Sequence, residues 1–112
     1  MKVRCDFLVI GSGIAGLSFA LKAAAHGKVC VITKAKMDDC STNYAQGGIA
    51  AVMYEPDNFD KHVRDTMIAG AGYCNEEVVR MVVSEAPARI REMIEMGVDF
   101  DKKPDGTLDM AM

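Results

Sequence analysis

The chain contains no tryptophan, three prolines, two histidines and four cysteines. It has no apolar run of the eighteen residues that a membrane-crossing helix needs. Cys5, Cys30, Cys40 and Cys74 stand 25, 10 and 34 positions apart. That spacing excludes a C-x-x-C pair for zinc, an iron–sulfur cluster or a redox dithiol, and it reads as separate thiols in a reducing compartment. His26 and His62 have no second histidine or cysteine at ligand spacing, so neither nominates a metal site. Basic residues are also short: 13 Lys and Arg against 16 Asp and Glu give a formal charge of −3, which argues against a nucleic-acid surface. The first residues, Met1-Lys2-Val3-Arg4-Cys5-Asp6, do not lead into a signal peptide, because Asp6 and the glycines beyond it interrupt the apolar stretch early. A cytoplasmic protein is the expectation.

What is present is a packed-core composition, with half the residues apolar, and one well-placed glycine cluster. Phe7-Leu8-Val9-Ile10 runs into Gly11-Ser12-Gly13-Ile14-Ala15-Gly16-Leu17, a G-x-G-x-x-G pattern between an apolar strand and a helix. Gly11 lets the chain turn out of the strand. Gly13 allows backbone to approach a pyrophosphate, and Gly16 lets the helix sit close to the sheet. The helix N-terminus supplies N–H groups and a favourable field for phosphates.

Residues 6–10 read as a strand too apolar for a solvated edge, as in the centre of a parallel sheet. Residues 14–25 read as a helix stopped by Gly27, and 29–33 as the second strand, closing a βαβ unit. A nicotinamide-dinucleotide site usually places an acidic residue after that strand; Thr33-Lys34 stands there instead. Lys34 cannot accept a hydrogen bond from a ribose but can meet a phosphate. Asp38 and Asp39 fall in a loop and read as solvated.

The segment Cys40-Ser41-Thr42-Asn43-Tyr44-Ala45-Gln46-Gly47-Gly48 sets short polar side chains before two glycines. Composition reads it as a Ser/Thr/Asn turn with a glycine bend. The same donors suit a pyrophosphate or the polar edge of an isoalloxazine. Asn58 caps a helix over 59–69 that Gly70 or Gly72 ends, and Asn75 caps the next one. Pro87 predicts a kink or two abutting helices, with 88–96 resuming up to Gly97. Residues 98–100 read as a short extended piece, 101–106 as a hydrophilic turn, and 107–112 as a stretch with no closing element. The count of strands is low for a doubly wound fold, so the chain reads as the N-terminal part of a longer protein.

Taken with Ile32-Thr33-Lys34, the segment from Ser41 to Val52, His62, Asp65-Thr66 and Ala69-Gly70-Ala71-Gly72, the glycine motif resembles a known flavoprotein family. It is the family of the L-aspartate oxidases and of the succinate dehydrogenase and fumarate reductase flavoprotein subunits, and the aspartate oxidase branch fits best. The resemblance covers essentially the whole chain. It implies an α/β fold: a Rossmann-like FAD-binding βαβ unit, with 1–112 the N-terminal part of the FAD-binding domain and the capping domain outside it.

The resemblance further implies that Ser12, Gly13, Ile14, Ala15, Lys34, Ser41, Thr42, Asn43, Tyr44, Ala45, Gln46, Gly47 and Gly48 contact FAD, beside the motif glycines Gly11 and Gly16. Family members with covalently bound flavin use a histidine before the glycine pair. Ser41 stands at that position, five before Gln46, and no histidine occurs from 27 to 61, so the implied FAD is non-covalent. The implied reaction oxidises L-aspartate to iminoaspartate by hydride transfer to the flavin, with oxygen or fumarate as final acceptor. Iminoaspartate feeds quinolinate formation in NAD biosynthesis, which implies a functional link to quinolinate synthase. No catalytic residue is assigned within the chain. A fumarate reductase or succinate dehydrogenase subunit, an NAD-dependent dehydrogenase and a non-catalytic nucleotide-binding module are the alternatives, with Thr33-Lys34 speaking against the second of these.

Overall fold

The computed structural model describes residues 1–45 and 48–110, which divide into two compact units, Met1–Gly48 and Ile49–Met112. The first unit is the βαβ element. Strand β1 (Phe7–Ile10) leads through the glycine turn into helix α1 (Ile14–Ala23), and β2 (Val29–Ile32) returns parallel to β1. The register pairs Phe7 with Val29, Leu8 with Cys30, Val9 with Val31 and Ile10 with Ile32. One further bond closes the far end of the ladder, Gly11 N–H to the Ile32 carbonyl at 2.8 Å. A one-turn helix, α2 (Ser41–Tyr44), follows β2.

Alternation along β1 sends Val9 into the core beneath α1, where Ala23 is also buried. Phe7 meets Phe19 of α1 edge to face, with ring centroids 6.3 Å apart. Leu8 and Ile10 point the other way and remain 57% and 80% exposed. The strand is therefore covered on one face only among the described residues, not on both as its apolar composition predicts.

Two boundaries differ from expectation for tertiary reasons. Asp6 is not a strand residue: its carboxylate accepts the Lys28 N–H at 2.7 Å and ties the start of β1 to the start of β2. Helix α1 ends at Ala23 rather than at residue 25, because the chain tightens into a turn, with Ala25 N–H bonding Lys22 O at 3.3 Å and His26 N–H bonding Ala23 O at 2.9 Å. Gly27 is then not a helix stop. A methyl there would come within 2.8 Å of the Asp6 carboxylate, so the glycine is needed for room.

The second unit is a helical hairpin. Helix α3 (Phe59–Ala69) and helix α4 (Glu76–Glu95) start on asparagine caps: Asn58 Oδ1 accepts from Lys61 N at 2.9 Å and Asn75 Oδ1 from Val78 N at 3.2 Å. Val63, Val83, Pro87 and Ile90 form the buried strip. Arg80 bridges the two helices, 3.0 Å from Asp60 and 2.9 Å from Glu76, and the hydrogen bonds to Asp60 and Glu76 raise its already high pKa further. Gly70 ends α3 in right-handed conformation, and the turn is made by Ala71 and Gly72 at φ +49° and +88°. A side chain at Gly70 would run into the Cys74 sulfur.

Helix α4 is continuous through Pro87, in place of two abutting helices. Proline removes one backbone donor from the ladder, but the ring is buried with Val83 and Ile90, and that packing holds the helix together across the missing bond. The helix ends in a Schellman arrangement: Gly97 at φ +99°, Gly97 N–H to Ile94 O and Val98 N–H to Met93 O, both 3.0 Å. Val98 is thereby engaged in the cap, and 98–100 is not extended strand. The stretch expected to lack closure folds back instead, through an antiparallel bridge between Lys102 and Leu108, with Lys103 N–H to Thr107 O at 2.8 Å and Asp109 N–H to Asp101 O at 2.8 Å. Residues 111 and 112 of that stretch lie outside the described residues. Among the described residues no helix is long and apolar enough to cross a membrane, and all four cysteines are free thiols.

Candidate cofactor site

The carboxyl ends of β1 and β2 open onto a cleft of about 610 Å³ in the first unit. Three separate pieces of chain reach it: Ile10 to Gly13, Ile32 to Lys34, and Asp39 to Thr42. In an open parallel sheet this is the place where ligands bind, outside the strand ends.

The glycine turn is shaped for close approach. Gly11 adopts φ +106°, which an L side chain rarely tolerates, and the space beside its α-carbon is open. Gly13 is the N-cap of α1 at φ −73° and brings no side-chain oxygen to the helix end. The first turn of α1 carries no acidic residue, so nothing there opposes an anion. Gly16 faces away from the cleft and into the sheet: a methyl on it would stand 2.5 Å from the Gly11 carbonyl oxygen and 3.1 Å from Val9 Cγ1. Its absence of side chain sets how near α1 lies to the strand end.

Side chains complete the lining. Ser12 is only 4% exposed, and its hydroxyl lies 3.4 Å from the Thr33 hydroxyl, a long bond linking the ends of the two strands. Lys34 brings the cation. Thr42 reaches back across the cleft, its Oγ1 accepting from the Ile14 N–H at 3.1 Å. The arrangement offers helix-end amides, hydroxyls and one ammonium to a ligand, the donor set that a phosphate or pyrophosphate needs, against one carboxylate on the rim, Asp39, which accepts from the Tyr44 phenol.

Of the residues nominated from sequence, Gly11, Ser12, Gly13, Lys34, Ser41 and Thr42 come together on this cleft. Ile14, Ala15 and Gly16 form the helix start behind it. Asn43, Tyr44, Ala45 and Gly48 are not among its lining residues, and Gln46 and Gly47 lie outside the described residues. Tyr44 donates its phenol to Asp39 Oδ1 at 3.0 Å. Asp39 and Cys40 also line the cleft, with Asp39 exposed to solvent there, as its loop position predicts. No local sequence signal marks their place on the cleft: a short turn, with Asp39 N–H to Lys36 O at 3.1 Å, folds the loop back toward the strand ends. His62 lies on α3, where its carbonyl accepts from the Thr66 hydroxyl at 2.8 Å. Among the described residues no cluster of three metal-ligating side chains occurs.

The chain matches the family model described as FAD binding domain over residues 6–112. It is 57% identical to L-aspartate oxidase 2-b, chloroplastic, of Nicotiana tabacum over 106 residues, 95% of this chain and 16% of that protein. It is 51% identical to L-aspartate oxidase of Vibrio cholerae, over 95% of this chain and 20% of that protein. Among solved structures it resembles a point mutant of the E. coli quinol fumarate reductase FrdA, with TM-score 0.88 and 30% identity over 99% of this chain and 20% of the other. The Sdh1 complex of Mycobacterium smegmatis in the apo form is similar at TM-score 0.84 and 33% identity, over 96% of this chain and 19% of the other. The chain thus spans about a fifth or less of the length of these relatives.

Proposed function

We propose, from the premise that the chain belongs to the FAD binding domain family, that it is the N-terminal part of the FAD-binding domain of an L-aspartate oxidase. FAD is the cofactor of this family. The observation that carries the reading is the meeting of the glycine turn, Lys34 and Ser41-Thr42 on one cleft at the strand ends. The residues present fit the group, since the turn has open space at Gly11 and no acid in the first turn of α1.

In this reading the turn Gly11 to Gly13, with Ile14, Ala15 and Gly16 behind it, receives the pyrophosphate, and Lys34 balances its charge. Ser41 and Thr42 meet the cofactor on this cleft, and the family resemblance assigns Asn43, Tyr44, Ala45, Gln46, Gly47 and Gly48 to it as well. When bound, FAD supplies the two-electron acceptor for oxidation of L-aspartate to iminoaspartate. The work of this chain is to hold and orient that group; no residue in it is assigned to the substrate's carboxylates or to its amine proton. Ser41 in the position of a flavin-linking histidine supports non-covalent attachment. Four free thiols fit a reducing compartment, and we place the protein in the cytoplasm, whereas the tobacco relative is named as chloroplastic. Oxygen or fumarate takes the electrons onward, and a quinolinate synthase consumes the product.

A fumarate reductase flavoprotein subunit is the second reading, favoured by the structural match at 30% identity. Identities of 51% and 57% to aspartate oxidases weigh against it. The deciding experiment uses full-length protein: aspartate added without oxygen should bleach the flavin bands, and acid should release the flavin into solution. Bleaching that follows reduced dye, is reversed by fumarate, and is not produced by aspartate would overturn the reading. So would flavin that stays on the denatured polypeptide, for the non-covalent part.

A further inference from the structure

Among the residues that line the cleft, Lys34 alone is basic. It is exposed, and among the described residues its ammonium enters no hydrogen bond or ion pair. The carboxylate on the rim, Asp39, is bonded to the Tyr44 phenol at 3.0 Å and not to the lysine.

The backbone fixes what that ammonium can reach. Gly11 N–H bonds the Ile32 carbonyl at 2.8 Å and Ser12 Oγ lies 3.4 Å from Thr33 Oγ1, so the glycine turn and the end of β2 sit side by side, about 4.8 Å apart. Lys34 is the next residue, and its flexible four-carbon stem spans that gap. Across the gap stands the start of α1. Thr42 takes the Ile14 amide there, and among the described residues the amides of Gly13, Ala15 and Gly16 have no acceptor. With no acidic residue in the first turn of α1, they form an anion seat whose neighbour is a primary amine.

An anion seat beside a primary amine is also the arrangement that catches phosphorylated electrophiles. We propose that Lys34 is a site of acylation by small acyl phosphates when the cofactor is absent, and that the modification switches off FAD binding. The switch rests on the FAD reading above; the acylation needs only the anion seat. The phosphate of the acyl phosphate lodges on the turn Gly11 to Gly13 and the α1 amides, which holds its acyl carbon near Lys34 Nζ. The Nζ lone pair attacks that carbon, the carbon–oxygen bond to phosphate breaks, inorganic phosphate leaves, and the proton from nitrogen goes to water. An amide replaces an ammonium. The charge that balances a pyrophosphate is lost, and the longer side chain takes up room in the cleft. Proximity to the bound phosphate, rather than exposure of the amine, singles Lys34 out. Lys36 is also exposed but does not line the cleft, and Lys28 stands at the opposite end of β2.

Full-length protein stripped of FAD is treated with acetyl phosphate, and acetylation of Lys28, Lys34 and Lys36 is followed by mass spectrometry. Lys34 should react at least about fivefold faster than the other two. Inorganic pyrophosphate should abolish that lead, and acetic anhydride, which carries no phosphate, should show none. Protein acetylated at Lys34 should bind FAD roughly tenfold more weakly by flavin fluorescence. A Lys34→Arg protein given the same treatment should keep whatever FAD affinity it had before. Lys34 reacting no faster than Lys28 and Lys36, or a lead that survives pyrophosphate or persists with acetic anhydride, overturns the acylation site. FAD affinity unaltered by acetylation of Lys34, or lost equally when the Lys34→Arg protein is treated, overturns the switch. A parent protein that takes up no FAD refutes the FAD reading and the switch together, and the pyrophosphate competition still decides the acylation site.

Discussion

Replacing Gly16 by alanine sets two opposing effects on one helix. Alanine in a helix interior is favoured over glycine by about 1 kcal/mol. Against that, the new methyl would stand 2.5 Å from the Gly11 carbonyl oxygen and 3.1 Å from Val9 Cγ1. Neither neighbour gives way easily. Gly11 is held by its N–H bond to Ile32 at 2.8 Å and by its turn at φ +106°, and Val9 is buried beneath α1. A carbon meets a carbonyl oxygen comfortably near 3.3 Å or beyond, so α1 must retreat by something under about 1 Å. Overpacking of this kind costs about 1–3 kcal/mol, which outweighs the helical gain and leaves the variant about 1 kcal/mol less stable. The retreat also carries the first amides of α1 away from the cleft, so FAD affinity falls with stability.

Gly13→Ala separates the two effects. Its methyl would meet only the Thr42 oxygen at 3.6 Å, and its φ of −73° suits any residue. The helix loses under about 1 kcal/mol at its cap. FAD binding drops more than folding, because the methyl occupies the space through which backbone approaches the ligand. Urea unfolding of FAD-free protein and an FAD titration, run on both variants, check the contrast. A Gly16→Ala protein as stable as the parent would refute the close-approach argument for that glycine.

Three further outcomes are expected. Pro87→Ala restores a donor opposite the Val83 carbonyl, worth up to about 3 kcal/mol, and loses burial of roughly two methylenes at about 0.8 kcal/mol each. The variant should be about 1 kcal/mol more stable by urea unfolding. Asn58→Ala and Asn75→Ala each remove a side-chain cap and should each cost about 1 kcal/mol in the same assay. The Thr107 hydroxyl, 2.6 Å from Asp105 Oδ1, and then the Thr107 N–H hold the Asp105 carboxyl below the ordinary aspartate range. A carboxyl depressed on folding supports the fold above its unfolded pKa and loses that support as pH falls through the folded one. The 101–109 turn should therefore loosen only in acid, below the usual aspartate titration. Thr107→Val should move the Asp105 titration, followed by carboxyl-carbon NMR, back upward.

β1, α1, β2, α3 and the start of α4 were legible because each carries a local signal: apolar runs broken by Gly11 and Gly13, helical spacing, and asparagine caps at 58 and 75; the one-turn α2 stands where composition gave a turn. β2 stops at Ile32, one residue short of the expected strand, and Lys34 follows two positions later, where it still lines the cleft. What escaped reading depends on partners distant in sequence. Gly27 is required by the Asp6 carboxylate twenty-one positions earlier, and no local rule shows that contact. Pro87 carries a breaker's signature, yet burial beside Val83 and Ile90 decides the outcome. Val98 has strand character and is taken by the cap of α4. At the site, Asp39 and Cys40 belong to a polar loop by composition, and only the turn over 36–40 brings them to the cleft. The bond from Ile14 to Thr42 joins two segments that sequence reading treated separately.

The uncovered side of the β1–β2 pair bears on how such a polypeptide is made. Leu8, Ile10 and Ile32 face water there, on a sheet that among the described residues has two strands and both edges unpaired. Ribosomes add about 5–20 residues per second. In any longer polypeptide carrying this segment, that adhesive side is on display from the moment β2 emerges until later chain covers it. A pause in translation shortly after this segment would lengthen the interval in which neighbouring nascent chains can meet that side.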